Sequence, residues 1–289
     1  MTVTPSDTMG DIVITGASRG IGRALALAIE PRPPTRLVLV ARDEAMLKQV
    51  ASQIEATGGC ALSMRGDLAA LESARELGER LAAEVRPPVT LVHNAGIWPA
   101  RRELTADGLE RAFVVNYVGP LLMQQVLLTR RLLDRVMLVS AGLLVRGRYS
   151  AERTPGGLDF SSWRTYCTTK LACAIAQRDI AARYPTVDFV VLHPGVARTD
   201  LGARRGLTGA LLHLVKRLWE RPEVCGARLR DLLARDRWSP PGTARWLVED
   251  QEQPWPSVTE DEQMRHAVRG TTDRFLSLLA PSRTPTLER

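Results

Sequence analysis

Residues 11–22 read Asp11-Ile12-Val13-Ile14-Thr15-Gly16-Ala17-Ser18-Arg19-Gly20-Ile21-Gly22. A short apolar run enters a glycine-rich turn and passes directly into a helical pattern over 20–30, which Pro31, Pro33 and Pro34 stop. A glycine turn between a strand and a helix lets the backbone approach a pyrophosphate. The helix N-terminus then offers free N–H groups and the positive end of its dipole. Taken alone, the same turn also serves as an ordinary tight connection, so the chain downstream decides between the two.

Downstream, short apolar runs alternate with helical patterns. Strands are predicted at 36–40, 60–65, 88–93, 135–140 and 187–192. Helices are predicted at 43–56, with Asp43 as N-cap, and at 69–85, 107–133 and 163–183. The strands are apolar throughout, as in a parallel sheet covered by helices on both faces. Right-handed crossovers then make this an α/β protein with a Rossmann-type doubly wound parallel sheet. One domain spans 11–280, with polar tails at 1–10 and 281–289 and a long loop at 142–160. After the sixth strand, 199–221 reads as a helical lid whose stripe of Leu211, Leu212, Leu214, Val215 and Leu218 suits an apolar substrate or a membrane surface. An edge strand at 243–248, a Pro-rich turn at 253–257 and a helix at 260–279 complete the pattern.

The composition excludes several classes. With 289 residues, 45% hydrophobic and 25% charged, the chain can bury a full core without disulfides. Mean hydropathy is −0.10, and no apolar run reaches the roughly 18 residues of a membrane-spanning helix. No secretory leader is visible. Cys60, Cys167, Cys173 and Cys225 sit at no disulfide or metal spacing, which points to a cytoplasmic protein with reduced thiols. His93, His193, His213 and His266 form no ligand pair, so no metal is expected. The net charge of +7 comes from arginines, the lysines being Lys48, Lys170 and Lys216 alone. These arginines are scattered, which argues against a nucleic-acid partner.

Three local patterns carry chemistry. In Tyr166-Cys167-Thr168-Thr169-Lys170 the tyrosine and lysine share a helix face, and an adjacent ammonium lowers a phenol pKa. Tyr166 then suits proton donation to a carbonyl oxygen; the other reading is an incidental surface pair. Asn116 lies inside an apolar helix, where an amide is either functional or a satisfied core group. After the second strand come Arg42 and Asp43. An acid there holds ribose hydroxyls in an NAD site, whereas Arg42 with Arg19 suits a 2′-phosphate. Since Asp43 also serves as an N-cap, NADP(H) is the expected cofactor.

Together, Thr15–Gly22, Asn94-Ala95-Gly96 and Tyr166–Lys170 make the chain resemble the short-chain dehydrogenase/reductases over 11–279. Val115-Asn116-Tyr117-Val118-Gly119, residues 166–172, His193-Pro194-Gly195-Val196-Ala197-Arg198-Thr199 and the pattern of the tail over 242–279 are most similar to the retinol-dehydrogenase-like and protochlorophyllide-reductase-like branch. The resemblance implies an NADPH-dependent reductase passing hydride to a carbonyl of an apolar, in one version polycyclic, substrate. It assigns the cofactor to Gly16, Ser18, Arg19, Gly20, Ile21, Gly22, Arg42, Asp67, Leu68, Asn94, Ala95, Gly96, Tyr166, Lys170, Pro194, Gly195, Val196 and Thr199. Among these, Asp67 meets the adenine, or else caps the next helix. Lys170 binds the nicotinamide ribose, and the loop at 194–199 closes on the carboxamide. Asn116 holds a relay water.

The chain departs from the pattern at the polarising serine: aligned without gaps, Ala141 takes that place and Ser140 matches its neighbour. Strand alternation turns Ser140 to the opposite face unless a bulge restores it. A quinone reductase in a tailoring pathway, needing less polarisation, is therefore the alternative. A non-catalytic NADP(H) sensor or scaffold is the alternative of another class. Trp98, Tyr149 and Trp163 line a substrate pocket or merely pack. The family also implies a homo-oligomer, a dimer or tetramer, joined through the helices of Asn116 and Tyr166.

Overall fold

A computed structural model describes residues 10–29, 35–197 and 220–279. Both tails, Thr199 and the expected lid as far as residue 219 lie outside the described residues. Among the described residues eight strands form one sheet in the order β3-β2-β1-β4-β5-β6-β7-β8. They are β1 Ile12–Thr15, β2 Leu37–Ala41, β3 Ala61–Arg65, β4 Val89–His93, β5 Leu133–Val139, β6 Asp188–His193, β7 Ala244–Val248 and β8 Gln251–Gln253. All neighbours pair in parallel except β7 with β8. The order reverses between β1 and β4, the switch point where ligands of such sheets bind.

Seven helices flank the sheet among the described residues: α1 Gly20–Ala28, α2 Glu44–Glu55, α3 Leu71–Glu84, α4 Arg111–Thr129, α5 Ser162–Arg183, α6 Pro222–Leu233 and α7 Glu262–Leu276. Strand alternation sends Val13, Val38, Leu91, Val136 and Val191 into a core beneath α3, α4 and α5. The intervening Ile14, Leu39, Val92, Met137 and Val190 enter a second core against α1, α2 and α6. Burial on both faces is why these strands read as continuous apolar runs.

Four expectations are corrected. The helix predicted at 107–133 starts at Arg111, because a turn closed by Gly108 N–H on the Thr105 carbonyl (3.0 Å) precedes it. Glu110 then caps it, Oε2 accepting from Phe113 N–H (2.8 Å). It ends at Thr129, since Arg131 takes a left-handed φ of 56° and Leu133 already belongs to β5. β5 correspondingly starts earlier than predicted and stops before Ser140. β7 is not the edge strand, because the short polar β8 pairs outside it. Helix α6 was not anticipated, although Pro222 at its start and Cys225, Leu229 and Leu232 on one buried face follow helical rules.

By length and composition α4 could cross a membrane, but 89% of its most apolar window is buried inside the protein. It is a core helix. Helix α7 covers the outer face of α4 and α5. Tyr117 Oη donates to the Val268 carbonyl (3.0 Å), and Tyr149 Oη bonds Thr271 Oγ1 (2.8 Å). Arg265 and Arg269 pair with Asp179 at 3.3 and 3.0 Å.

Beneath the site, β4, α4 and α5 share a buried polar network. His93 Nε2 lies 2.7 Å from Gln124 Oε1, and the Gln124 and Gln177 amides exchange hydrogen bonds of 3.0 and 2.6 Å. Burial, aided by the charge of Lys170, pushes the His93 pKa down to about 4. The unfolded chain therefore binds the extra proton first as pH falls from about 6.5 toward 4, so stability declines across that window and is unaffected above it. In urea titrations, His93→Gln should flatten this slope, removing at most about 3 kcal/mol of pH dependence. An unchanged slope would place the titrating group elsewhere.

Candidate active site

The turn after β1 and the loop after β4 are tied together at the switch point. Thr15 Oγ1 accepts from Asn94 N–H (3.0 Å) and Ala95 N–H (3.1 Å) and donates to the Val92 carbonyl (3.2 Å). The Asn94 amide donates back to the Thr15 carbonyl (2.9 Å) and reaches the Gly16 carbonyl at 3.4 Å. Gly22 packs into this junction. A Cβ there would lie 2.4 Å from both Asn94 Nδ2 and the Gly16 oxygen, so no other residue lets α1 begin so close to the turn. Helix α1 starts after Arg19 with no side-chain cap and no acid in its first turn. Its leading N–H groups are left for an anion. Ser18 is buried, Gly20 and Ile21 are half-buried, and Arg19 is exposed.

At the end of β2, Arg42 is exposed, and neither it nor Arg19 forms an ion pair among the described residues. Asp43 is engaged as an N-cap, its carboxylate accepting from Met46 N–H (3.0 Å). Asp67 does not cap α3, whose N-cap is Ala70; its carboxylate accepts from Ala69 N–H (3.0 Å) beside the buried Leu68.

Asn116 sits in a π-helical turn, Val114–Val118, inside α4. Such widened turns occur frequently at functional sites. Its Oδ1 accepts from Ile97 N–H (2.8 Å), and its Nδ2 donates to the Ile97 carbonyl (2.9 Å) and to Thr169 Oγ1 (3.0 Å). Lys170 is buried, and its Nζ donates to the Val139 carbonyl (2.9 Å). Among the described residues no carboxylate pairs with it, and burial lowers its pKa. Gly96 lies between the two: a Cβ there would stand 3.2 Å from Asn116 Oδ1 and 3.3 Å from Lys170 Nζ.

One turn earlier on α5, the Tyr166 ring stacks on Trp98 with centroids 4.8 Å apart and planes within 7°. Trp98 in turn meets Trp163 at 5.3 Å and donates from Nε1 to Ser162 Oγ (3.1 Å). Burial raises the Tyr166 pKa, and Lys170 does not offset it. The expected lowering by the adjacent ammonium is thus corrected, because burial sets the direction of the shift. The two sides of the candidate site are Asn116, Lys170 and Gly96 on one and Tyr166 with the tryptophans on the other.

β5 and β6 keep an unbroken register to Val139↔Leu192, and Ala141 continues in extended conformation. No bulge intervenes. Alternation gives Ser140 the face of Val136 and Leu138, beneath α4 and α5, and gives Ala141 the face of Met137 and Val139. The Ser140 hydroxyl is buried without a hydrogen-bond partner. At the end of β6 come the buried Pro194 and Gly195 and the exposed Val196.

Sequence reasoning missed the roles of Thr15 and Thr169, both partners of motif asparagines. Thr169 lies within the Tyr–Lys motif, so it was findable; the Trp98–Tyr166 stack left no local trace. Tyr149 is far from this cluster in role, being bonded to α7 and set edge-on to Tyr117. Among the described residues no group of three or more His, Cys, Asp or Glu is placed to hold a metal.

Comparison with known proteins agrees with this layout. The family model described as short chain dehydrogenase matches residues 11–208. A Streptomyces protein described as a daunorubicin C-13 ketoreductase is 37% identical over 193 residues, covering 66% of this chain and 67% of its own. Human retinol dehydrogenase 13 is 29% identical over 291 residues, covering 94% of this chain and 86% of its own. A 3-oxoacyl (acyl-carrier-protein) reductase from Agrobacterium tumefaciens, solved with NADP bound, superposes with a TM-score of 0.64 at 25% identity, covering 83% of this chain and 93% of that one. The sheet order, the glycine turn packed on Asn94 and the family match over 11–208 make this chain a member of the short-chain dehydrogenase/reductase family of oxidoreductases, on its retinol-dehydrogenase-like branch.

Proposed function

We propose that the chain is an NADPH-dependent reductase acting on a carbonyl of an apolar, polycyclic substrate, with Tyr166 as proton donor. The observation that carries this is Lys170, a buried ammonium with no carboxylate beside it among the described residues, one helical turn from Tyr166 and flanked by Asn116. A buried charge without a counter-ion is costly, and the hydroxyls of a ribose would use its remaining donors. The cradle of Gly16, Gly20 and Gly22, the uncapped start of α1, and Arg19 and Arg42, which form no ion pair among the described residues, fit the phosphates of the same cofactor. Asp43, engaged as a cap, supports a 2′-phosphate over a free ribose hydroxyl.

When bound, NADPH supplies the hydride. Tyr166 holds its proton on Oη at neutral pH, since burial raises its pKa, and gives it to the carbonyl oxygen. Lys170 orients the ribose, and Asn116 holds a relay water at the floor of the site. No bulge turns Ser140 toward Tyr166 and its hydroxyl is buried beneath α4 and α5, so the developing oxyanion relies on Tyr166 and receives no second hydroxyl from this strand end. Trp98 and the half-exposed Trp163 present planar apolar surface beside Tyr166, which supports an apolar ring system. The similarity to a protein described as a ketoreductase supports a ketone. Ala141 at the usual serine position favours the second reading, a quinone acceptor. The four free cysteines support a reducing, cytoplasmic setting.

Tyr166→Phe should lower kcat by about 10²–10⁴-fold while NADPH affinity stays within about twofold; undiminished turnover would remove Tyr166 from the mechanism. Arg42→Ala should weaken NADPH about tenfold and leave NADH unchanged in fluorescence titrations; equal losses would refute the 2′-phosphate assignment. Ser140→Ala should leave turnover of a saturated ketone nearly unchanged; a loss of about 10²–10³-fold would instead give Ser140 a catalytic part.

A further inference from the structure

Three strained or crowded positions converge on the loop after β6. Gly195 has a φ of +101°, and a Cβ on it would lie 2.5 Å from Glu220 Oε2 and 2.7 Å from Arg228 Nη1. Glu249, after β7, holds a left-handed φ of 60° while its N–H donates to the His193 carbonyl (2.6 Å). Arg228, on α6, joins them. Its Nη1 donates to the Pro194 carbonyl (2.5 Å) and to Glu220 Oε2 (3.1 Å). Its Nη2 donates to Glu220 Oε1 (3.2 Å) and pairs with Glu249 Oε2 (3.0 Å). Glu220 N–H donates to the Val196 carbonyl (3.0 Å), and Ala197 bridges Glu220 as a parallel pair. The guanidinium side chain is only 15% exposed.

An exposed ion pair of this kind would contribute little. Here a mostly buried, bidentate guanidinium takes two carboxylates and a main-chain carbonyl at once, the arrangement that fixes geometry best. All of the groups it fixes belong to, or hydrogen-bond, residues 193–197. We propose that Arg228, acting through Glu220 and Glu249, is the positioning residue that shapes the Pro194–Ala197 backbone for the nicotinamide end of the cofactor. The inference rests on the NADP(H) reading above. Arg228 itself bonds protein groups alone among the described residues, so its effect reaches the cofactor through the loop.

The test separates the two ends of the cofactor. The full chain and its Arg228→Ala, Arg228→Lys and Glu220→Gln variants are titrated calorimetrically with NADPH and with adenosine 2′,5′-bisphosphate, which carries the adenine end and no nicotinamide. Arg228→Ala should bind the bisphosphate within about twofold of the parent and NADPH about tenfold or more weakly. Arg228→Lys should recover part of that loss, and Glu220→Gln should share it. Glu220→Gln carries the test if Arg228→Ala fails to fold. NADPH binding equal to the parent in both variants would overturn the proposal. So would parallel loss of both ligands, which marks a role in the fold as a whole. A parent chain that binds neither ligand would instead overturn the cofactor reading, and the inference with it.

Discussion

The hydroxyl of Thr15 holds the structure together at the place that matters most. It accepts from the first two N–H groups after β4 while donating to the carbonyl of Val92. The crevice at a topological switch point is normally splayed, because the loops on either side turn toward opposite faces of the sheet. Here Thr15 and Asn94 cross-link the two loops, and Gly22 can begin α1 against them only because it has no Cβ. The turn after β1, the start of α1 and the Asn94–Gly96 segment are thereby one rigid floor. Everything assigned to the cofactor is placed relative to it.

The second constraint is electrostatic. A buried lysine among apolar helices is destabilising unless its donors are used. Lys170 uses one on the last carbonyl of β5, and burial, with a smaller contribution from its charge, keeps His93 neutral beneath it. Asn116 commits both amide donors and one lone pair of Oδ1 to Ile97 and Thr169, which leaves its second lone pair for a water. Lys170 and Asn116 are therefore held by protein partners before any ligand arrives. That is the preorganisation on which electrostatic catalysis depends.

Much of the fold was legible because burial on both faces imprints continuous apolar strands, and glycine and proline punctuate them. The glycine turn, the Tyr–Lys spacing and the Asn94-Ala95-Gly96 segment each carry a local physical reason and could be read directly. What escaped was decided at long range. β8 is polar and short, so nothing in Gln251–Gln253 announces an edge strand. The start of α4 depends on a turn that pairs Leu104 with Glu110, and helical periodicity alone runs through it. The raised Tyr166 pKa follows from burial, which the spacing of tyrosine and lysine cannot specify. The Arg228 assembly joins residues from β6, β7 and α6 across more than fifty positions of sequence.

The proposed transfer of hydride from NADPH to an apolar carbonyl compound is tested directly by anaerobic loss of the reduced nicotinamide absorbance with a matched panel of polycyclic ketones and quinones, run in parallel with NADH. Ketones should turn over with NADPH and little with NADH. Tight NADPH binding with no oxidation by any acceptor, or equal use of NADH, would contradict it.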